Sequence, residues 1–461
     1  MVSQDLASIS HRLSDRIVNL SYDDIPDSVI DHTRLMILDT FGVAWAGAGA
    51  PGSADIEDLM VAGSGSGPCR AWASGRPLDP MGAAFLNSVH AAALDYDSVF
   101  EKGSVHTDIV SIPTAWALSE EAGATGTAFL AAVALANELM CRLAAAATEN
   151  RGWFNTALFG GFGAAAAAAK ILGLSVGQTR DALGLVFSQT GGSQQALIEK
   201  TMAKRVQSGF AARAGVFAAL LAGRGVTAPA ECFEGDFGFY RLYCDGDPAP
   251  LLYGFGDEYL CIGAAVKKFP SCTANHVPID AVIEIVEELD LAPDDIRAVK
   301  TVISPFAHGL VGASFDPGDN PQVAAQFSLE YSIACAALRR QLTVADIQES
   351  AVKAPEIGDF IGRISIEVDE GNAGKFAPAE VVVESARHGT IRRRQEHVPG
   401  TPERRLTAGQ IEDKFRACIA AGVRPLDPAQ TDRLIERLTA IAEISDMSDF
   451  FGPVDCHERS S

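Results

Sequence analysis

Near residue 265 the apolar residues of this chain change period from 3.6 to 2, so the chain must fold as two differently built parts. Upstream, from about residue 5 to 260, helix follows helix. In the segment 26–47, Val29, Thr33, Met36, Ile37, Thr40, Phe41 and Ala44 recur at helical spacing and turn one stripe toward a core. A second helix is predicted over Gly163–Leu172. Ser175-Val176-Gly177-Gln178 has the form of a capping box and starts a third, which is expected to stop near Gly191-Gly192. A fourth is predicted from about Gly209 to Leu221, ending at Gly223. The Ala and Gly residues of these segments let helices approach closely, which favours a compact bundle.

Downstream, four segments carry strand character: 298–304, 363–370, 379–385 and 390–398. Arg387-His388-Gly389 reads as the hairpin turn between the last two. Helices are predicted among them at about 277–289 and 323–338, and from Thr407 onward the chain returns to helix. The fold class expected is mainly α with α+β. A large all-helical domain spans 1–265, a smaller α+β domain inserted late spans 266–405, and C-terminal helices over 406–461 rejoin the large domain. A length of 461 residues is too great for one core and fits this division.

A net charge of −22 with no basic face along the chain argues against a nucleic-acid partner. The apolar run Gly161–Leu174 is interrupted by Lys170 and is too short to cross a bilayer, so no membrane partner is expected. The first twenty residues carry polar and acidic groups where a signal peptide has its apolar stretch, and a cytoplasmic location is expected. Nine cysteines stand singly, with no C-x-x-C, which fits free thiols in a reducing compartment. Their spacing also offers no zinc site or iron–sulfur ligand set, and no metal is expected.

The segment Phe85–His106 places His90, Asp95, Asp97 and His106 around the break between an Ala-rich helix and a polar loop. A carboxylate beside an imidazole can fix its tautomer and keep it ready for acid–base work. The same residue types also fit a helix closed by Asp, with His90 packed against it. Lys204 and Arg205 stand just before the predicted fourth helix, whose amides could face an anion, although a Lys-Arg pair is also an ordinary solvated surface. In Lys267-Lys268-Phe269-Pro270-Ser271-Cys272-Thr273-Ala274-Asn275-His276, Pro270 forces a turn and His276 precedes a helix expected near Pro278; a plain domain linker reads the same way. The aromatic–Gly loop Phe233–Tyr240 is read as packing between helices.

Taken in order, A-A-F-x-N, L-D-Y-D, the Gly163–Leu174 Ala run, E-G-x-F-G-F, K-x-F-P-S-C-x-x-x-H, Ala325–Leu329 and a late K-F resemble the MmgE/PrpD family along nearly the whole chain. That family includes 2-methylcitrate dehydratases, cis-aconitate decarboxylases and iminodisuccinate epimerases. The resemblance implies a homodimer without metal or other cofactor, with its site in the cleft between a helical and an α+β domain. It implies catalytic roles for His106 in proton transfer, Asp95 in orienting it or binding water, and Lys204 and Lys267 in clamping carboxylates. Asp97, Trp153, Phe154, Arg205, Gln207, Cys272 and His276 are the expected substrate-binding set. The reaction implied is a lyase reaction on a small carboxylic acid, by dehydration of a β-hydroxy acid or decarboxylation of an unsaturated one. An epimerase of a dicarboxylic acid, or a non-catalytic paralogue that binds an organic acid, would use the same residues.

The chain also departs from the family pattern. Phe154 stands where a site His is usual, Gln207 replaces another His, Gln326 replaces a Lys, and Thr107-Asp108 follows His106 in place of Pro. Fewer cations and one more carboxylate point toward a less charged or more apolar substrate packed against Trp153 and Phe154.

Overall fold

The computed structural model describes residues 8–64 and 67–452; Cys456 and His457 lie outside the described residues. Its helical part is built around Asp27–Gly47, Pro80–Ala92, Asp108–Ala122, Gly126–Ala146, Asn155–Ile171 and Ala203–Gly223. Small residues set their spacing, as the Ala and Gly content predicts. A Cβ on Gly215 would lie 2.3 Å from that of Ala164, and one on Gly209 would lie 2.7 Å from Val89 Cγ2. Helix Ala203–Gly223 is thereby pressed against both Asn155–Ile171 and Pro80–Ala92. This contact brings Lys204, near its start, beside the loop that follows Ala92.

Gly126–Ala146 and Ala203–Gly223 are long and apolar enough to cross a bilayer, which the sequence reading did not single out. The first packs inside the bundle against Asn155–Ile171, with 89% of its apolar window buried.

The strands form a two-stranded ribbon, β1 (Cys69–Arg70) with β2 (Pro77–Leu78), and a four-stranded sheet. The sheet comprises β3 (Ile296–Ile303), β4 (Ile364–Val368), β5 (Ala379–Ser385) and β6 (Gly389–Gln395), in the order β4-β3-β5-β6. β3 runs parallel to β4 and antiparallel to β5, and β5 and β6 close the predicted hairpin with Ser385 opposite Gly389. Gly389 has φ +68°, a conformation that favours glycine. Helix Thr273–Glu288 packs on β5 and β6 and on helix Leu329–Arg339, which in turn meets β4.

The core of the sheet unit is not self-contained. It includes Val43, Ala46, Ala50, Ala93, Leu94 and Tyr96 from the helical part. The helices Ala408–Ala421 and Pro428–Thr439 pack on Asp27–Gly47, and Phe450 closes on Trp116 with ring centroids 4.6 Å apart. The chain is thus mainly α, with a smaller α+β unit.

Several helix ends differ from expectation. The second helix begins earlier, at Asn155, with Gly160 and Gly161 as contact residues inside it. The third forms its capping box but ends at Phe187. The fourth begins at Ala203, so Lys204 and Arg205 lie in its first turn rather than before it. Helix Thr273–Glu288 contains both His276 and Pro278; the proline forgoes one backbone hydrogen bond without ending the helix. The stretch 323–338 is two helices, Pro321–Gln326 and Leu329–Arg339, broken where the Ser328 hydroxyl accepts from the Tyr331 N–H at 3.2 Å. Most of the aromatic Phe233–Tyr240 loop packs as expected, with Phe233, Phe239 and Tyr240 buried against Phe162 and one another, but Phe237 is exposed.

Candidate functional site

Helix Pro80–Ala92 ends just before Asp95, which has φ +50°. Asp is among the few residues that tolerate this left-handed conformation. The turn aims both the backbone carbonyl and the carboxylate of Asp95 at Lys267, whose Nζ donates to Asp95 O at 2.8 Å and to Oδ2 at 2.9 Å. Lys204, from the first turn of its helix, donates to Oδ1. One buried carboxylate is therefore shared by two buried ammonium groups. Burial would raise the Asp95 pKa, but Lys204, Lys267 and His106 together hold it well below the usual carboxylate range. Burial would likewise lower that of Lys204, and Asp95 and Asp97 raise it instead.

His106 is the second half of the site. Its Nδ1 lies 2.9 Å from the Ser98 carbonyl and 2.7 Å from Asp97 Oδ2. Both neighbours only accept, so Nδ1 carries a proton and the network leaves Nε2 as the nitrogen that can exchange one. Asp97 is fully buried; despite that burial, His106 keeps its carboxyl below the usual range. The loop is braced from behind, where Ser98 donates to Asp108 Oδ2 and Asn137 donates to Asp108 Oδ1 at 2.6 Å. Burial pushes the Asp108 carboxyl up to about 6.

Lys414 joins these pieces. From helix Ala408–Ala421 its Nζ donates to the carbonyls of Tyr96, at 2.8 Å, and Lys267, at 2.9 Å. It also pairs with Asp39 Oδ1 at 2.6 Å and lies 3.8 Å from the Tyr96 ring centroid. It fastens the Asp95–Asp97 loop to the segment that carries Lys267. Neither Lys414 nor Asp108 was among the expected site residues; the late K-F motif was the signal for the first, and the Asp that follows His106-Thr107 for the second.

Asp95, His106, Lys204 and Lys267 open onto one cavity of about 740 Å³ in the cleft, with Trp153, Phe154 and Cys272 also in its wall. The sheet unit contributes Phe306, Phe327, Lys375 and Phe376. Phe154 sits between the two halves of the site. Its ring centroid is 6.4 Å from that of His106 and 5.8 Å from Lys204 Nζ, and Phe327 flanks the same ammonium at 5.9 Å. The Cys272 thiol, pushed up to about 11 by burial and by Asp95, stays neutral.

The other expected binding residues stand behind this wall. Asp97 reaches the cavity only through His106. Arg205 donates to the Pro51 carbonyl at 3.1 Å and to Gln322 at 3.3 Å. Gln207 accepts from Ser193 N at 2.7 Å and donates to Ser193 O at 3.2 Å, so it supports the loop residue that forms an isolated antiparallel bridge with Trp153. His276 is fully buried, its pKa lowered to about 3 by burial and by Lys267, and it donates to the Ser271 carbonyl at 3.1 Å. His90 is also buried and neutral, its pKa lowered to about 4 by burial, in keeping with packing rather than catalysis. Among the described residues no group of three or more His, Cys, Asp or Glu is placed to hold a metal ion.

Fold and site together define a helical protein with a smaller α+β unit that gathers carboxylate, imidazole and ammonium groups on one cleft. Residues 11–251 match the MmgE/PrpD N-terminal domain and residues 269–440 the MmgE/PrpD C-terminal domain, and the chain belongs to this family. Cis-aconitate decarboxylase of Aspergillus terreus is 28% identical over 380 aligned positions, covering 76% of each chain. A cis-aconitate decarboxylase-like protein of Aspergillus oryzae is 26% identical, with 96% of each chain covered. Human cis-aconitate decarboxylase is 26% identical, covering 89% of this chain and 88% of its own. Family and relatives place the protein among lyase-type enzymes.

Proposed function

We propose that the protein is a lyase that removes carbon dioxide from a small unsaturated carboxylic acid by moving a proton at a carbon beside a carboxylate. The observation that carries this reading is the convergence of Lys204, Lys267 and Asp95 with the Asp97–His106 pair on one cavity. As the C–CO₂ bond breaks, its electron pair forms a new double bond and the original one shifts toward the far carbon. That carbon takes a proton from Nε2 of the His106 imidazolium. Charge that builds on a carboxylate conjugated to the double bond is met by Lys204 and Lys267, whose positions are already fixed. Asp97 holds the imidazolium in orientation, and the aromatic wall limits water.

Dehydration of a β-hydroxy acid uses the same residues in the other protonation state. Neutral Nε2 takes the α-proton, the same lysines stabilise the enediolate, and hydroxide leaves with a proton. The neutral Cys272 thiol in the wall is a donor available to that leaving group.

Proton NMR in D₂O with cis-aconitate and small β-hydroxy acids tests both. The expected result is a product carrying one deuterium with release of carbon dioxide, and loss of turnover in Lys267→Ala and His106→Gln. Full activity in His106→Gln would overturn the assignment. Exchange of an α-proton without net product would replace a lyase by an epimerase.

A further inference from the structure

We infer that the substrate is amphipathic: its carboxylate end faces Lys204 and Lys267, and an apolar substituent lies on the aromatic wall where a third carboxylate would otherwise sit. This rests on the reading of the site as one that handles a carboxylate, and concerns what else the ligand carries.

Charge is the first argument. The lysines of the cavity wall, Lys102, Lys204, Lys267 and Lys375, are opposed by Asp95 and Glu149 in the wall and by Asp97 behind His106. One positive charge remains while His106 is neutral and two while it is the imidazolium that donates a proton, and a tricarboxylate exceeds either. A tricarboxylate would leave the filled cavity net negative in both states of His106, whereas a dicarboxylate is balanced by the imidazolium form, and burying unbalanced charge is costly. Two positions that could have supplied more cation do not. Phe154 has no charge, and Gln326 is buried with its amide donating to the Ala93 carbonyl at 3.3 Å.

Shape and polarity are the second. Phe154 bridges the proton-transfer group and the ammonium, at the place where the body of a bound acid must pass. Beyond it the wall continues through Trp153, Phe306, Phe327 and Phe376, drawn from both parts of the chain. Such a surface gains by covering methylene or aromatic carbon; its one cation there among the described residues, Lys375, lies 5.9 Å from the Phe306 ring centroid and donates to the carbonyls of Glu101 and Lys102. The Lys204 ammonium is flanked by the rings of Phe154 at 5.8 Å and Phe327 at 5.9 Å. A single flat carboxylate fits there better than a branched polyanion.

A matched series of unreactive ligands isolates the point: methylsuccinate, butylsuccinate, benzylsuccinate and tricarballylate share a succinate core and differ in one substituent. Calorimetric titration of the full chain should show affinity rising from methyl to butyl by about fourfold per methylene, with benzylsuccinate tight and tricarballylate weakest. Phe154→Ala should flatten the rise along the alkyl series, and Phe154→His should narrow the gap between benzylsuccinate and tricarballylate. Tightest binding of tricarballylate, or no binding of any member, would overturn the inference. The two readings fail separately. Turnover of cis-aconitate with tricarballylate bound tightest keeps the lyase and removes the amphipathic substrate. The expected order with no turnover of cis-aconitate or of an alkyl-substituted glutaconate keeps the recognition and removes the lyase.

Discussion

Asp95 gathers the site because, among the described residues, it is the one anion that both lysines reach, over sequence separations of 109 and 172 residues. The four residue types were legible in the sequence; their convergence on Asp95 was not, because no local pattern encodes contacts at that range. Replacing Asp95 by Asn leaves two buried ammonium groups without a counter-ion, and a loss of about 3–5 kcal/mol in unfolding free energy at pH 7 is expected by urea titration. The contribution has the sign of a depressed carboxylate. It is present above the ordinary aspartate value and disappears as pH falls below it, so the gap between wild type and variant should close in acid. Glu120 behaves oppositely. Burial raises its carboxyl to about 8, while its side chain accepts from Arg70 N at 3.1 Å. The folded state then holds a proton that the unfolded state has released, so this group lowers stability as pH rises from the ordinary glutamate value to about 8. Its slope is at most about 1.4 kcal/mol per pH unit. Glu120→Gln should match wild type near pH 5 and exceed it near pH 8 in the same measurement; a constant difference across that range would refute the buried-acid assignment.

At the scale of elements, the interiors of strands and helices were readable and several of the functional ends were not. Lys204 and Arg205 looked like residues ahead of a helix because Gly209 reads as a start; packing of Gly209 on Val89 makes that glycine an interior contact instead. His276 looked like a residue of the connecting loop because Pro278 suggested the helix start, and tertiary contacts carried the helix just over one turn further back. The same long-range logic explains Lys414, whose helix is remote in sequence yet supplies the clamp between the Asp95 loop and Lys267. Lys414→Met should lower kcat by roughly 10–100-fold, since a shift of about 1 Å in a catalytic group has that effect. Asp39→Asn provides the control. It removes the counter-ion of Lys414 but keeps both carbonyl contacts, so it should lower the urea midpoint while retaining most of kcat. Equal loss of kcat in both variants would reduce Lys414 to a stabilising residue.

Across the whole molecule the change of hydrophobic period located the sheet unit in the sequence, but not how completely its core depends on the helices. Val43 and Ala46 belong to the stretch whose stripe was read as facing one core; helix Asp27–Gly47 in fact serves two, one on each side. Tyr96 lies between Asp95 and Asp97 and packs into the core of the sheet unit, so the loop that carries two site carboxylates is also part of the joint. Opening that joint would expose Leu94, Tyr96 and Phe269, strip Lys414 from its carbonyls and separate Lys267 from Asp95. Each of these is a large penalty for a partly unfolded state. The two parts should therefore melt together in differential scanning calorimetry, with one transition whose calorimetric and van't Hoff enthalpies agree. Lys414→Met, which cuts the link without removing apolar surface, should broaden or split it. Two resolved transitions in the wild-type protein would mean that the shared core does not couple the parts. The cleft would then be a hinge rather than the fixed wall that holds Lys204 and Lys267 in place for a carboxylate.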